Sequence, residues 1–403
     1  MVDITRLLGG KSKPTDLLRY GPCNPIPPDL PLRSDGEGRP VVVWNLTRRC
    51  NLSCPHCYAE ATSGKTGEEL PHREARALID DLAHFGVPVL LFSGGEPLLR
   101  EDLYQLGDYA SSRGIRTVIS TNGTLLDHHA ARKIKEAGFA YVGVSLDGLE
   151  EVHDRFRGRR GAFQSALSGI RECRELGIKV GIRFTICRQN YQDIDGVLDL
   201  WEQEKIARCC FYHLVYTGRG RRLMDQDISL SEKRSFLDRL IARAEWMRKD
   251  GREGEILTVD NHADGVYLYL RFKEQEPERA AEIYRLLRRN GGNSSGIRIA
   301  CIDAEGNVHP DQFWQHYSLG NVLERPFSLI WQDLSDPLLR RLRNRKGLVR
   351  GKCSRCLFFD LCNGNFRVRA EAAYGDTWAE DPACYLTAGE VQGVSGSPAR
   401  CDS

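Results

Sequence analysis

The sequence predicts an α/β fold: a partial, TIM-like (β/α)6 barrel followed by a small cysteine-bearing C-terminal domain. Three observations predict it. Short apolar runs at 41–46, 87–92, 116–120, 141–146, 179–186 and 209–215 alternate with stretches of helical periodicity. The runs are rich in Val, Ile, Leu and Phe with little polar alternation, as strands buried on both faces of a parallel sheet are. Cysteines gather behind the first run and again near the C-terminus.

In chain order, residues 1–40 hold seven prolines, Pro25, Pro27, Pro28 and Pro31 among them, and are expected to form an irregular arm. The barrel is expected over 41–216. Between its first two runs, Ala75, Leu78, Ile79, Leu82 and Phe85 are spaced for one helix face, and Gly86 supplies the stop. Residues 217–296 break the alternation with two charge-rich helical stretches, about 231–250 and 273–289, around a loop at 259–265. They read as a helical linking subdomain. Strand pieces and cysteines dominate 297–387, and 388–403 read as a frayed tail.

Composition narrows the function classes. At 403 residues the chain exceeds the ~250–300 at which one core stops growing, which fits a main domain with an appendage. No stretch approaches the ~20 uninterrupted apolar residues of a membrane span, and Met1-Val2-Asp3-Ile4-Thr5-Arg6 lacks a signal-peptide core, so a cytoplasmic protein with no membrane partner is expected. Fourteen cysteines with clustered Cys-x2-Cys spacings point to metal in a reducing compartment rather than to disulfides. A net charge of +2 predicts no nucleic-acid partner. The basic run from Arg340 to Lys352 lacks interleaved aromatics for base stacking and reads as a solvated helix face. Cys23, Cys173, Cys187, Cys209, Cys210 and Cys401 are scattered or lie in apolar runs and read as small hydrophobes.

The first cysteine group, Arg49-Cys50-Asn51-Leu52-Ser53-Cys54-Pro55-His56-Cys57-Tyr58, closes the first strand, where barrels of this kind collect their chemistry. Its three thiolates are one short of a closed zinc site, whereas a four-iron cubane held by three cysteines keeps one iron open for an outside molecule. Zinc with His56 as fourth ligand is the alternative, and it requires adjacent residues to turn onto one small ion. The second strand ends in Ser93-Gly94-Gly95-Glu96-Pro97, where two glycines allow close backbone approach and Glu96 can pair with an ammonium. Ser120 and Asn122 close the third strand and Ser145 and Asp147 the fourth, as ligand contacts or as ordinary turn residues. Arg183 on the fifth strand can meet a carboxylate or make a structural ion pair. His213, Tyr216, Arg219 and Arg221 stand at the end of the sixth, where arginine forks can clamp substrate carboxylates. A core histidine beside a solvated basic loop explains them equally. The sequence identifies no acid–base residue. Cys353, Cys356, Cys362 and Cys384 can close a second cluster or a four-cysteine zinc site.

The Cys-x3-Cys-x2-Cys loop, with Gly-Gly-Glu-Pro one strand–helix unit later, resembles the radical S-adenosylmethionine (SAM) family. The resemblance implies a [4Fe-4S] cluster on Cys50, Cys54 and Cys57. Its open iron holds SAM, which one electron splits into methionine and a 5′-deoxyadenosyl radical. It also implies SAM contacts from Gly94, Gly95, Glu96 and Pro97 to the amino group, from Ser120, Asn122, Ser145 and Asp147 to the ribose, and from Arg183 to the carboxylate. The C-terminal group resembles the SPASM, or twitch-like, extension that holds auxiliary clusters. The full extension has seven cysteines. Here Cys301 and Gly306 match its opening, but Asp311 and Phe366 stand where two cysteines are expected. One auxiliary [4Fe-4S] cluster is therefore expected, on Cys353, Cys356, Cys362 and Cys384, making two clusters in all.

Further strings, among them Tyr216-Thr217-Gly218-Arg219-Gly220, Asp264-Gly265-Val266-Tyr267, Cys362-Asn363-Gly364-Asn365 and Trp378-Ala379-Glu380-Asp381-Pro382-Ala383-Cys384-Tyr385, resemble the NirJ family of haem d1 biosynthesis over about 41–387. That implies a tetrapyrrole substrate, 12,18-didecarboxysirohaem, oxidatively altered at its propionates; the auxiliary cluster is then expected to accept the electron left over. It also implies an external one-electron donor such as flavodoxin or ferredoxin. His213, His309 and His316 are candidate ligands of the substrate iron. The radical SAM enzymes of the alternative haem pathway are the nearest competing reading, then a SPASM peptide maturase, then a non-catalytic iron-sulfur or zinc scaffold.

Overall fold

The computed structural model describes residues 1–11, 13, 16–20, 39–64 and 67–393. Among the described residues its frame is one open sheet of eleven strands. These are β1 (Val2–Asp3), β2 (Val41–Asn45), β3 (Val89–Ser93), β4 (Arg116–Thr121), β5 (Val142–Ser145), β6 (Val180–Ile186), β7 (Arg208–His213), β8 (Glu255–Val259), β9 (Ile299–Ile302), β10 (Asn307–His309) and β11 (Gly320–Asn321). Their order is β1-β8-β7-β6-β5-β4-β3-β2-β9-β10-β11. Strands β2 to β8 are parallel neighbours and β9 joins β2 in parallel, while β1, β10 and β11 pair antiparallel at the two ends. The sheet is the partial barrel the apolar runs predict.

Parallel neighbours need a crossover, and helices His72–Phe85, Leu103–Ser112, His128–Glu136, Ala162–Glu175 and Ile194–Gln203 lie in the five crossovers from β2 to β7. Side chains alternate across each strand. Val42, Trp44, Leu90, Phe92, Val144 and Phe184 join the helices in one core, while Val41, Val43, Val89, Leu91 and Val118 face an interior lumen. Both faces are apolar, which is why the strands read as continuous runs. The helix His72–Phe85 buries Ala75, Leu78, Ile79, Leu82 and Phe85 and stops at Gly86, whose φ of 84° closes a left-handed cap. Each such large side chain contributes roughly 1.5–3 kcal/mol on burial.

The structure departs from the expected organisation at three places. The opening residues of the arm are regular: β1 pairs with β8, the turn Ile4–Leu7 follows, and Val2, Ile4, Leu7 and Leu8 are buried. Two residues are too short a run to show as a strand, and their partner lies far along the chain. Pro25, Pro27, Pro28, Pro31 and Cys23 lie outside the described residues. The linking segment is not purely helical, because β8 extends the sheet beside β7 between helices Leu230–Lys249 and Ala263–Lys273. A charged first residue, Glu255, and the flanking Gly251 and Gly254 hide that strand in the sequence. The tail begins with a helix, Ala388–Gln392, set by a capping box between Thr387 and Glu390; Cys401 is outside the described residues.

Candidate functional site

The parallel register brings the ends of β2 to β7 to one rim, and the loop 46–62 lies across it. Three sets of hydrogen bonds shape that loop. Cys50 N–H donates to Thr62 O (2.8 Å), and Thr62 N–H to Arg48 O (3.0 Å). Gly95 N–H donates to Thr47 O (2.7 Å) and Glu96 N–H to Arg49 O (2.8 Å). From β7's end, Arg219 donates from Nε to Cys54 O (2.9 Å) and from Nη1 to Ala61 O (2.7 Å), and its N–H to Cys57 O (3.0 Å). Gly95 is required here, since any Cβ would overlap the Arg49 carbonyl.

One cavity collects the result. Cys50, Cys54 and Cys57 line it with Gly94, Gly95, Ser120, Asn122 and Ser145, and Arg183, His213 and Arg219 complete its walls. Burial pushes the Cys50 thiol up to about 11 and also raises Cys54. A bound metal reverses this by taking the thiolate outright. Two donors already face the sulfurs: Asn122 Nδ2 lies 3.9 Å from Cys50 Sγ, and Arg157 Nη1 3.5 Å from Cys54 Sγ. His56 stacks on Phe156 at 4.5 Å, and burial pushes it well below its ordinary value. Among the described residues no three His, Cys, Asp or Glu side chains converge as a single metal ion needs. Three half-buried or buried thiols on a cavity wall, with amide and guanidinium donors aimed at them, fit a cluster bound from one side.

Other expected contacts divide. Gly94, Gly95, Ser120, Asn122, Ser145 and Arg183 line the cavity. Glu96 and Pro97 are buried behind it. Glu96 accepts from Leu98 N–H (3.1 Å), Thr121 Oγ1 (2.7 Å) and Asn122 N–H (2.8 Å), tying the glycine turn to the end of β4. Asp147 is also buried, where it pairs with Arg157 and accepts from Thr185 N–H (2.5 Å). Arg157, Tyr58, Thr185, Asp260, Gln312 and Phe313 reach the cavity unforeseen. Arg157 looks in the sequence like one more charge on a polar helix, and nothing there marks it.

The substrate candidates fare unevenly. His213 and Arg219 reach the cavity; Tyr216, Arg221, His309 and His316 do not line it. The donors of Arg219 hold the cysteine loop, so it is not a free clamp. His213 Nε2 meets Asp264 Oδ2 at 2.9 Å, and Asp264 Oδ1 accepts from Tyr385 OH at 2.7 Å. Tyr216 donates to Asp227 (2.7 Å) and Arg221 is exposed. His309 Nδ1 meets Tyr317 O at 2.8 Å, and the exposed His316 meets Glu371 at 2.9 Å. Sequence spacing cannot tell the rim of a barrel from its outside.

The C-terminal cysteines form a second group. Burial pushes Cys362 well up, and the nearby thiols of Cys353, Cys356 and Cys384 add to the shift. Gly292 backs onto Cys362 with φ of 70°, leaving no room for a side chain. Lys352 Nζ donates to Cys384 O at 2.6 Å. Cys301 stands apart on β9, its Sγ accepting from Asn45 Nδ2 at 3.5 Å. Asp311 is buried on Ser295 Oγ, and Phe366 packs on Phe313 at 5.7 Å. Neither position offers a thiol, and the corner fits one cluster on four cysteines.

Comparison with known proteins places both halves. The model of the Radical SAM superfamily matches residues 44–200, and that of SPASM, an iron-sulfur cluster-binding domain, matches 295–357. The Fe-coproporphyrin III synthase of Methanosarcina barkeri is 55% identical over 394 residues, 97% of this chain and 99% of that protein. The pre-heme d1 synthase of Dinoroseobacter shibae is 43% identical over 370 residues, 91% of each chain. The crystal structure of Streptococcus suis SuiB bound to precursor peptide SuiA shares the fold, with a TM-score of 0.68 over 88% of this chain and 78% of that one, at 19% identity.

Proposed function

This chain belongs to the radical SAM superfamily with a SPASM extension and acts on a tetrapyrrole, and on that premise we propose that it converts 12,18-didecarboxysirohaem to Fe-coproporphyrin III by removing acetate side chains. The likeness to a Fe-coproporphyrin III synthase over nearly both whole chains carries this reading, and it displaces haem d1 formation as the first choice. Haem d1 formation, by oxidation of the propionates of the same substrate, stays as the second reading because the pre-heme d1 synthase is also matched along most of its length.

In this reading Cys50, Cys54 and Cys57 hold the cluster that binds SAM, and Cys353, Cys356, Cys362 and Cys384 hold the auxiliary one. When bound, cluster and SAM supply a carbon radical able to take hydrogen from an unactivated carbon. The chain's own residues do the rest. Gly94 and Gly95 let the backbone approach the ligand closely. Ser120, Asn122 and Ser145 offer hydrogen bonds to its ribose. Arg157, beside Cys54 and anchored by Asp147, is the cation placed for its carboxylate. Apolar lumen walls exclude water from the reacting centre. An acidic one-electron carrier such as flavodoxin or ferredoxin supplies the electron. Among the described residues no helix is long and apolar enough to cross a membrane.

Anaerobic incubation of the iron-loaded enzyme with SAM, a reductant and didecarboxysirohaem, followed by mass analysis of the pigment, tests the proposal. Loss of two acetate groups is expected. A product that keeps both acetates and is altered at the propionates selects the second reading, and unchanged pigment beside cleaved SAM removes both.

A further inference from the structure

Among the described residues, the barrel below the cysteine loop is hollow. A second cavity, of about 350 Å³, runs down the lumen and shares Val43, Leu91, Arg183 and Tyr212 with the cavity above, so the two meet. Barrels of this kind ordinarily fill that space with side chains. Here two glycines keep it open: the Arg183 stem lies against Gly143, where a Cβ would meet Cδ at 2.8 Å, and the Tyr141 ring crosses Gly181.

The lumen's cations are not equivalent. Arg19, Lys179 and Arg208 are bound to Glu255 at 3.5, 2.9 and 2.5 Å at the floor of the barrel. Arg183 stands higher, at the join of the cavities, with its guanidinium 4.4 Å from the Tyr212 ring centre. Among the described residues no carboxylate or hydrogen-bond acceptor pairs with it. The carboxylate of that wall, Asp260, makes no ion pair with it either. A guanidinium held by ring stacking alone keeps its whole fork free for a ligand carboxylate. In the reading above Arg157, anchored by Asp147 beside the cysteines, takes the SAM carboxylate, which frees Arg183 for another ligand.

Resting on the tetrapyrrole reading above, we infer that Arg183 is a specificity residue that binds one propionate carboxylate of the macrocycle at the join of the two cavities, with Tyr212 stacking behind it and the apolar lumen below receiving the side chain's edge of the ring. The arrangement limits which side chains can lie nearest the SAM cavity, since one anchored propionate leaves a flat ligand only as many rotations as it has propionates.

Titration of Fe-coproporphyrin III into anaerobic, iron-loaded wild type, Arg183→Gln and Arg183→Lys, followed by pigment absorbance, tests this, with SAM affinity measured in parallel by equilibrium dialysis. The Gln variant is expected to bind the pigment at least about tenfold more weakly, and the Lys variant, which keeps the charge but loses the fork, to lie between it and wild type. SAM affinity should stay within about twofold. The uncharged tetramethyl ester should bind wild type and the Gln variant alike. Equal pigment affinity in Arg183→Gln, a loss of SAM affinity instead, or an equal loss for the ester each overturns the inference and leaves the proposed reaction standing. Failure of wild type to bind any tetrapyrrole overturns the proposed reaction, and the inference with it. Thermal melting of the three proteins separates these outcomes from misfolding, and Arg183→Lys keeps the charge if the Gln variant does not fold.

Discussion

Replacing Arg369 by Met removes one partner of an ion pair whose two side chains are 0% exposed. Arg369 Nε lies 2.8 Å from Asp381 Oδ1 and Nη2 2.9 Å from Oδ2, while Nη1 donates to Leu214 O (2.9 Å) and Nη2 to Asp260 O (2.8 Å). Leu214 and Asp260 follow β7 and β8, and Asp381 precedes Cys384. The guanidinium therefore joins the C-terminal cysteine corner to the barrel mouth. Leaving Asp381 charged and unpaired in the interior costs about 3–5 kcal/mol. With about 2.1 cal/mol/K of unfolding entropy per residue, a chain of 403 residues gains roughly 0.85 kcal/mol/K on unfolding, so 4 kcal/mol lowers the melting temperature by about 5 °C. Scanning calorimetry of the anaerobic, iron-loaded protein reads that shift. The double variant Arg369→Met, Asp381→Asn should recover only part of it, because Asn removes the charge but keeps a single acceptor oxygen, enough for one of the Phe366 and Ala383 N–H groups. A single variant melting within about 1 °C of wild type refutes the reasoning.

Two glycine substitutions should separate the clusters. Gly95→Ala puts a methyl group on the Arg49 carbonyl, and the expected outcome is loss of the first cluster, with iron falling from about eight to about four per chain; retention of all iron contradicts the packing argument. Gly292→Ala presses on Cys362 at a φ of 70° and should lose the auxiliary cluster while SAM cleavage without substrate survives, as measured by iron analysis and nucleoside chromatography. Glu255→Gln probes pH dependence. Burial favours the neutral acid, but Arg208, Lys179 and Arg19 outweigh it and hold Glu255 at about 2. A carboxyl lowered from 4.5 stabilises the fold above pH ~4.5 and loses that contribution as pH falls toward 2. Wild type should melt several degrees above Glu255→Gln at pH 7, and the gap should narrow below pH ~4.5; a gap independent of pH refutes the assignment.

The barrel was legible because its strands are apolar on both faces, so Val42 and Trp44 on one side and Val41 and Val43 on the other read alike. The cysteine loop was legible from spacing alone. What escaped depends on partners distant in sequence. β1 exists only because β8 offers it an edge, and β8 itself opens with a buried carboxylate that four cations, Lys13, Arg19, Lys179 and Arg208, neutralise. In the sequence Arg219 fits a substrate clamp and a solvated loop equally, and neither holds, since its donors are spent on the carbonyls of Cys54 and Ala61. His309 and His316 carried the right chemistry at the wrong depth. Arg157 carried no signal, because a buried arginine and a solvated one look the same until Asp147 and Cys54 are placed beside it.

Anaerobic protein reconstituted with iron and sulfide, then given SAM and dithionite, measures the central claim directly. The geometry of the cysteine cavity predicts 5′-deoxyadenosine from wild type and none from Cys54→Ala. Wild type that yields no 5′-deoxyadenosine, or a Cys54→Ala variant that yields as much, contradicts it.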